Sequence, residues 1–327
     1  RLDHPIARLL VERSAVATCV SKDLTALPNL VAEDGRVHTT YHQAGGWEEG
    51  GGEDKAAPET GRLSSSSPNL QNITHHGDTT RPYIAGWARP IRRAVCAAPG
   101  NVLVKADIGQ EEPRITALLA DDKQLIADLT PPNDVYRPLA RLAYTMSPER
   151  QVTLEERQTG KRLFLEWAYG GRSFTASAPW LTVEQHRQVL GYLETQYKGV
   201  AVWQRRVLRE LQIRGFVRSW LGRRRYFPGY GAASGADQAS MQRAALNAPI
   251  QMSAADVLKL ALPKVHTALP PGAQMVLTVH DEIVVECKQA QQTEVVAIMK
   301  AMCDGALPIH LPVEVSVGPT WADQKGV

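Results

Sequence analysis

The stretch LTVHDEIVVEC (residues 277–287) decides how this chain folds. Two apolar runs typical of β-strands, residues 276–279 and 283–285, flank the three residues His280, Asp281 and Glu282. Tight hairpins usually turn on Asn-Gly or Asp-Gly, because these residues tolerate a positive φ. Here the turn carries an imidazole and two adjacent carboxylates, which repel each other and gain nothing from a sheet. The stretch therefore predicts a hairpin whose turn holds positively charged ligands.

The composition fits a large globular protein that can present a local basic surface. The 327 residues, of which 43% are hydrophobic, suffice for one large domain or two to three lobes. Net charge is only +3, but arginine is concentrated over residues 205–225, and such a surface can bind phosphate. The first residue is arginine, so the chain is interpreted as a fragment or a processed product.

Cysteine usage and hydropathy exclude several other classes of protein. The four cysteines are scattered and form no CxxC pair, which argues against zinc or a disulfide framework and favours a reducing, cytoplasmic compartment. No signal-peptide pattern opens the chain, and no apolar run reaches membrane-spanning length. We therefore predict no membrane partner.

The order of strand and helix patterns predicts an α+β fold, because no βαβ repeat is present. NVLVKAD alternates apolar and polar residues and reads as a strand that ends at Asp107. Residues 44–60 are rich in Gly and Glu and predict a mobile acidic loop. The remaining predicted elements are helices over 154–168, 183–213, 237–262 with an interruption at Pro249, and 292–302, a ribbon over 215–228, and a last strand over 312–318.

Two aspartates, Asp107 and Asp281, each follow a predicted strand. If these strands are neighbours in one sheet, both carboxylates lie at the same edge. Such a pair suits two Mg²⁺ ions about 4 Å apart, the arrangement used for in-line displacement at phosphorus, with Glu282 as an auxiliary acid. The alternative, an exposed acidic turn, fits either carboxylate taken alone.

Two further stripes of side chains recur at four-residue spacing. Arg157, Lys161, Leu165 and Tyr169 would spread over roughly 18 Å of one helix face, with cations at one end and a ring at the other. This polarity matches a nucleoside triphosphate, although an ordinary amphipathic helix has the same spacing. The second stripe consists of Arg243, Asn247 and Gln251. Their long side chains carry hydrogen-bond donors that suit the minor groove, where every base pair presents similar acceptors. An ordinary polar helix face explains the same spacing equally well.

Taken together, these motifs resemble the polymerase region of A-family DNA polymerases of the bacterial DNA polymerase I type. DIGQEEPR resembles motif A, RQTGKRLFLEWAYGG motif B and VHDE motif C. TGRLSSSSPNLQNI resembles the primer–template segment, and VHTTYHQ, YKGV, GRRRYFP, RAALNAPIQMSAADV and VGPTW match connecting pieces in order. The resemblance therefore extends over nearly the whole chain.

The resemblance implies a role for each matching residue. Metal ligands are Asp107, Asp281 and the main-chain carbonyl of Ile108, for two Mg²⁺ ions with Mn²⁺ able to substitute. Nucleotide-binding positions are Gln110, Glu112, Tyr136, Arg157, Lys161, Leu165 and Tyr169, of which Glu112 is the steric gate against a ribose 2′-hydroxyl and Lys161 is also a proton donor to pyrophosphate. Primer–template positions are Arg62, Asn69, Gln71, Asn72, Arg243, Asn247, Gln251 and His280.

Several residues depart from the family pattern, but none removes a metal ligand. Leu165 stands where Phe or Tyr is usual, which leaves dideoxynucleotide discrimination open. Tyr136 replaces a phosphate-contacting His. Glu111 and Pro113 replace apolar residues beside the gate, and Met252 replaces a Gly.

The implied architecture is a right-hand polymerase with an antiparallel palm sheet, helical fingers and a partial thumb. The expected divisions are a thumb remnant over 1–43, the acidic insertion over 44–60, palm over 61–114, fingers over 115–228, and palm again over 229–327. Abbreviated motifs and the insertion also fit a phage-encoded replicase.

The implied activity is template-directed addition of dNTPs to a primer 3′-hydroxyl. Two alternatives stay open: a polymerase with a different choice of sugar or template, and a non-catalytic DNA-binding remnant. A hydrolytic two-metal nuclease has no need for the stripe from Arg157 to Tyr169. Accessory replication proteins are not identifiable from the sequence.

Overall fold

The computed structural model describes residues 5–43, 58–73 and 90–327. These residues belong to two compact units. Unit 1 comprises residues 1–109, 258–306 and 312–327, and unit 2 comprises residues 110–257 and 307–311. The predicted acidic loop falls largely on residues 44–57, which lie outside the described residues.

The described α-helices are α1 (Pro5–Cys19), α2 (Glu111–Ala120), α3 (Lys123–Asp128), α4 (Tyr136–Ala143), α5 (Leu154–Ala168), α6 (Val183–Gln196), α7 (Lys198–Arg214), α8 (Gly235–Ala268) and α9 (Gln292–Lys300). The strands are β1 (Thr40–His42), β2 (Ser64–Ser66), β3 (Asn101–Ile108), β4 (Phe216–Arg218), β5 (Arg224–Tyr226), β6 (Gln274–Val279), β7 (Glu282–Lys288), β8 (Val313–Gly318) and β9 (Lys325–Gly326). The structure also contains a π-helical segment, Val20–Ala26, and short 3₁₀ turns at Pro28–Leu30, Leu70–Asn72 and Gln289–Gln291.

Unit 1 is built on a five-stranded antiparallel sheet in the order β6-β7-β3-β8-β9. The central strand, β3, buries Leu103, Val104, Ala106 and Ile108 almost completely, and α9 packs against β3, β7 and β8. A slip of one residue would move Lys105 and Asp107 onto the face that buries Val104, Ala106 and Ile108, so this alternation fixes the register of β3. The sheet therefore holds the end of β3 at a defined position.

The segment around β1 is fastened to this sheet by two polar contacts. The Tyr41 hydroxyl accepts a hydrogen bond from the Thr278 N–H at 3.0 Å and donates to the Thr278 carbonyl at 2.9 Å. Arg36 Nη1 donates to buried Glu286 on β7 at 2.7 Å. The first contact lies two residues before His280 and so steadies the strand that leads into the acidic turn.

Unit 2 is helical, and its centre is an aromatic core around α5. The rings of Phe164 and Trp167 pack against Tyr197, and all three are buried. Helix α5 begins at a capping box in which the Thr153 hydroxyl and the Glu156 carboxylate satisfy each other's backbone N–H groups. This box explains why the predicted start of the helix is correct.

The β4–β5 hairpin is anchored to α8 within unit 2. Arg223 donates two hydrogen bonds to one carboxylate oxygen of Asp256, and the Ser219 hydroxyl donates to the other at 2.7 Å. The predicted ribbon over 215–228 is therefore confirmed as a hairpin.

The α+β fold class is confirmed by the mixture of helices and antiparallel sheets. The predicted interruption at Pro249 is wrong, because α8 runs unbroken for 34 residues. Burial of Ala245, Ala248, Ile250 and Met252 around the proline outweighs the one backbone hydrogen bond that a proline removes.

The single helix predicted over 183–213 is also wrong. It is two helices, α6 and α7, which meet at Tyr197, where φ is −113° and ψ is 61°. The buried Tyr197 ring and its hydrogen bond to Asp128, 3.0 Å long, hold this non-helical residue in the core. Among the described residues no helix combines the length and apolar character needed to cross a membrane.

Candidate active site

The acidic turn of unit 1 holds two residues, His280 and Asp281, between Val279 at the end of β6 and Glu282 at the start of β7. His280 adopts a φ of 57°, the left-handed conformation that such a turn needs. Histidine is among the non-glycine residues that adopt it most readily. The sequence prediction of a hairpin is confirmed, with Glu282 in the strand rather than in the turn.

Of the two predicted aspartates, Asp107 lies on β3, and Asp281 lies in the turn that leads into the adjacent strand, β7. Asp107 on β3 is paired in register with Glu282 on β7, so Asp281 is the next residue along from its partner. On its other side Asp107 is paired with Glu314 on β8. Directly paired residues in an antiparallel sheet share one face, so Asp107, Glu282 and Glu314 form a row of acids across three strands.

The electrostatics of this row show that Lys105 offsets only part of its negative charge. Burial raises the pKa of Asp107, and the charges of Asp281 and Glu282 raise it further, to about 7. Lys105 acts in the opposite direction but does not offset these effects. A divalent cation beside Asp107 would supply the missing charge.

Glu282 is held by two polar contacts. Its carboxylate is largely buried, accepts a hydrogen bond from the Trp321 indole N–H at 2.6 Å and lies 3.2 Å from the ammonium of Lys105. Its predicted role as an auxiliary acid stays a prediction.

The donor set fits Mg²⁺, although the described residues contain no group of three or more His, Cys, Asp or Glu side chains arranged to hold a metal ion. Mg²⁺ is usually bound through one or two carboxylates together with substrate phosphates and water, rather than in a cage of protein ligands. Asp107 and Asp281 supply those carboxylates, and Ile108, the residue after Asp107, ends the same strand.

In unit 2, Arg157 lies on α5 and is held by Asp134, which precedes α4, and by Tyr136, the first residue of α4. Its Nε donates to Asp134 Oδ2 at 2.6 Å, and its guanidinium carbon lies 4.9 Å from the centre of the Tyr136 ring. Tyr136 is 1% exposed, and burial raises the pKa of its hydroxyl. Tyr136 therefore lies beneath Arg157, and its role as a direct nucleotide ligand stays a prediction.

The rest of the α5 stripe is more accessible. Lys161 is exposed and Leu165 is half-buried. Tyr169 ends the helix, and its hydroxyl donates a hydrogen bond to Glu112 on α2. Gln110, with a φ of 55°, immediately precedes α2. The predicted gate residue and the ring predicted beside it are thus in direct contact.

The residues predicted to contact DNA fall into two groups, one in each unit. Asn69, Gln71 and Asn72 lie in or beside a 3₁₀ turn, where the Ser65 hydroxyl donates to Asn69 Oδ1 at 3.1 Å and accepts from the Gln71 N–H at 3.3 Å. Arg62 precedes β2, and His280 lies in the acidic turn. In unit 2, α8 carries Arg243, Asn247 and Gln251.

Arg243 also lines a cleft of about 750 Å³ in unit 2 together with three further cations, of which one belongs to the arginine-rich stretch noted in the sequence. These are Arg172, Lys198 and Arg205, and one acid, Glu194, lies among them. The cleft gives unit 2 a concentrated positive surface in a chain of low net charge.

The sequence matches the description "DNA polymerase family A" over residues 1–323. The chain belongs to this family. It is 33% identical to "DNA polymerase I, thermostable" of Thermus thermophilus over 99% of the chain, and 34% identical to DNA polymerase I of Mycobacterium tuberculosis over 96% of it. It spans only 37% and 33% of these two relatives, so about a third of their length is represented.

A solved structure supports the family A fold. The POL domain of Pol1 from M. smegmatis, in a complex with DNA primer-template and dNTP, matches with a TM-score of 0.81 and 32% identity, over 98% of this chain and 54% of that one. The predicted polymerase fold is therefore confirmed. The division into thumb, palm and fingers stays a prediction.

Two functional features of this family A chain escaped the sequence reasoning. Asp134 and Glu314 contact or face predicted site residues that lie far from them along the chain. The sequence signal for Asp134 was slight: an Asp two residues before a helix often caps it. Neither partnership follows from spacing alone.

Proposed function

We propose that the chain catalyses template-directed DNA synthesis, joining dNTPs to a primer 3′-hydroxyl. The observation that carries this proposal is the placement of Asp107 near the end of β3 and of Asp281 in the turn that leads into the adjacent strand, beside acids whose charge Lys105 only partly offsets. Family membership supports the same activity.

Asp107, Asp281 and the Ile108 carbonyl would hold two Mg²⁺ ions, or Mn²⁺ in their place. When bound, these ions neutralise the acids, lower the pKa of the primer hydroxyl and stabilise charge on the leaving pyrophosphate. The left-handed backbone of His280 lets the chain turn tightly before Asp281.

The cations of α5 would bind the triphosphate. Arg157 offers a planar pair of donors to phosphate oxygens, and exposed Lys161 supplies a mobile point charge. In the reaction the primer 3′-hydroxyl would lose its proton to solvent, and its oxygen would form a bond to the α-phosphorus as the bond from that phosphorus to the oxygen bridging it to the β-phosphorus breaks. Lys161 Nζ would give its proton to the departing pyrophosphate.

Primer–template DNA and dNTPs are the proposed partners. The Pol1 domain from M. smegmatis is described in a complex with both. In this chain the polar side chains of the 3₁₀ turn and of α8 would contact the duplex, and their amide donors suit minor-groove acceptors common to all base pairs. Such contacts would test pairing geometry without reading the sequence.

Primer extension by the Asp281→Asn variant tests the metal assignment. The substitution preserves size but removes the anionic ligand, so we expect extension to fall roughly 10³-fold, while folding and primer–template binding are retained. Asp121→Asn is the matched control, since Asp121 is an exposed acid paired with Lys123. Normal extension by Asp281→Asn would refute the assignment. Binding without extension by the wild type would favour the non-catalytic alternative.

The choice of sugar is tested at Glu112. Because Tyr169 donates to Glu112, the carboxylate is held in one place, where it would exclude a ribose 2′-hydroxyl. Glu112→Ala should raise the ratio of rNTP to dNTP incorporation by roughly 10- to 100-fold. Equal use of both nucleotides by the wild type would refute the assignment of Glu112 as the steric gate. It would favour the alternative of a polymerase with a different choice of sugar.

A further inference from the structure

Arg157, which the proposed function assigns to the triphosphate, is held by a carboxylate that none of the sequence motifs includes. Asp134 Oδ2 accepts from Arg157 Nε at 2.6 Å, and both side chains are mostly buried, with 18% of Asp134 and 25% of Arg157 exposed. Partial burial strengthens such a charge-assisted hydrogen bond, because water competes less for its donor and acceptor.

The two oxygens of Asp134 have separate partners. Oδ1 accepts from the backbone N–H groups of Tyr136, at 2.9 Å, and Arg137, at 3.3 Å, and so caps the start of α4. Oδ2 accepts from Arg157 and lies 3.4 Å from Arg137 Nε. Burial alone would raise the pKa of Asp134, but the hydrogen bonds from Arg157 and the Tyr136 N–H outweigh it and lower the pKa.

The Tyr136 ring provides the second support for Arg157. Its centre lies 4.9 Å from the guanidinium carbon, within the range of a cation–π contact. The ring itself is fixed, since it packs edge-on against Phe164 and is 1% exposed. Its hydroxyl is buried without a hydrogen-bond partner among the described residues. The ring, rather than the hydroxyl, is therefore the part of Tyr136 that supports Arg157.

We propose that Asp134 is a positioning residue for nucleotide binding: with the Tyr136 ring, it fixes Arg157 so that its Nη1 and Nη2 donors are presented to the triphosphate of an incoming dNTP. This inference rests on the proposed function. The hydrogen bond uses Nε, which leaves the two terminal nitrogens for phosphate oxygens, and an immobilised guanidinium loses less conformational freedom when the nucleotide binds.

The variant Asp134→Asn separates the two roles of this residue, which caps α4 and accepts a hydrogen bond from Arg157. Asparagine retains an oxygen that can cap α4, but its amide nitrogen cannot accept from Arg157 Nε. We expect the KM for dNTP in primer extension to rise about 10-fold, with kcat changed by less than about 3-fold. Arg137→Ala is the matched control, because it removes the exposed cation beside the same oxygen, and it should leave the KM unchanged.

A double-mutant comparison distinguishes positioning from a general loss of structure. In an Arg157→Ala background, Asp134→Asn should raise the KM no further, because the group through which it acts is gone. An unchanged KM in Asp134→Asn, or a full further effect in the Arg157→Ala background, would overturn the proposal. A lower KM would also overturn it, because Asp134 would then compete with the nucleotide.

A spectroscopic measurement keeps this proposal separate from the proposed function. In protein labelled with ¹⁵N-arginine, the Arg157 Nε–H should exchange slowly with solvent in the wild type and rapidly in Asp134→Asn. This reading needs no catalytic activity. Rapid exchange in the wild type would refute the contact, whereas slow exchange in an inactive wild type would refute only the polymerase assignment.

Discussion

At the scale of single residues, the ionised carboxylate of Asp107 destabilises the folded state. Its pKa is raised to about 7 by burial and by Asp281 and Glu282. An unfolded Asp titrates near 3.9. Between these values the folded state binds the extra proton, so stability falls as the pH rises from about 4 to 7. Active sites often concentrate such destabilising charge.

Replacing this carboxylate should therefore stabilise the protein when no divalent metal is present. We expect Asp107→Asn to be more stable than the wild type at pH 8 by up to about 4 kcal/mol, with the difference vanishing near pH 4. Thermal unfolding in EDTA at a series of pH values measures this. Mg²⁺ should raise the wild-type Tm and leave the variant less affected. A variant that is less stable than the wild type at pH 8 would contradict the electrostatic account.

At the scale of elements, the contact between α4 and α5 positions the Arg157 face of the helix. Gly160 permits this contact, because a Cβ atom there would lie 2.1 Å from the Tyr136 carbonyl oxygen. The oxygen belongs to the backbone and cannot move without shifting α4. The short distance between α4 and α5 therefore depends on the absence of a side chain at Gly160.

Gly160→Ala should destabilise unit 2 by about 1–3 kcal/mol, because overpacking forces the helices apart. Urea unfolding followed by tryptophan fluorescence reports on this, since Trp167 lies in the same core. Gly191→Ala on α6 is the control, because no atom lies within 4 Å of a Cβ there, and it should stabilise the helix by up to about 1 kcal/mol. Equal effects of the two substitutions would argue against the close contact.

The elements also show which features a sequence reveals. The bounds of α5 were predictable, because the Thr153 cap and the periodicity are local signals. The continuity of α8 through Pro249 was not, since it depends on burial against residues remote in sequence. The same limit applies to the site: Asp107 and Asp281 were found as strand-terminal acids, but the Asp134–Arg157 contact forms only in the folded chain.

At the scale of the whole molecule, charge is distributed unevenly. The net charge is +3, yet the cleft of unit 2 is lined by Arg172, Lys198, Arg205 and Arg243. Nucleic-acid affinity depends on the number of phosphates that local cations neutralise, rather than on net charge. A nearly neutral protein can therefore bind a strongly anionic partner.

We expect primer–template affinity to depend steeply on salt. If about four to six phosphates are neutralised, a plot of log Kd against log salt concentration should have a slope of roughly 4 to 5. Fluorescence anisotropy with labelled DNA in increasing KCl measures this slope. The Asp281→Asn variant should give nearly the same slope, since it leaves every cation in place. A slope close to zero would contradict phosphate-driven binding.

The turn of two residues between β6 and β7 has a consequence for how the gene can diverge. With only His280 and Asp281 in the connection, one inserted or deleted codon would exchange the inward and outward side chains of the following strand. Changes of length in descendants of this chain should accumulate instead in helix connections such as residues 144–153. The length of this turn thus determines which side chains of β7 face inward.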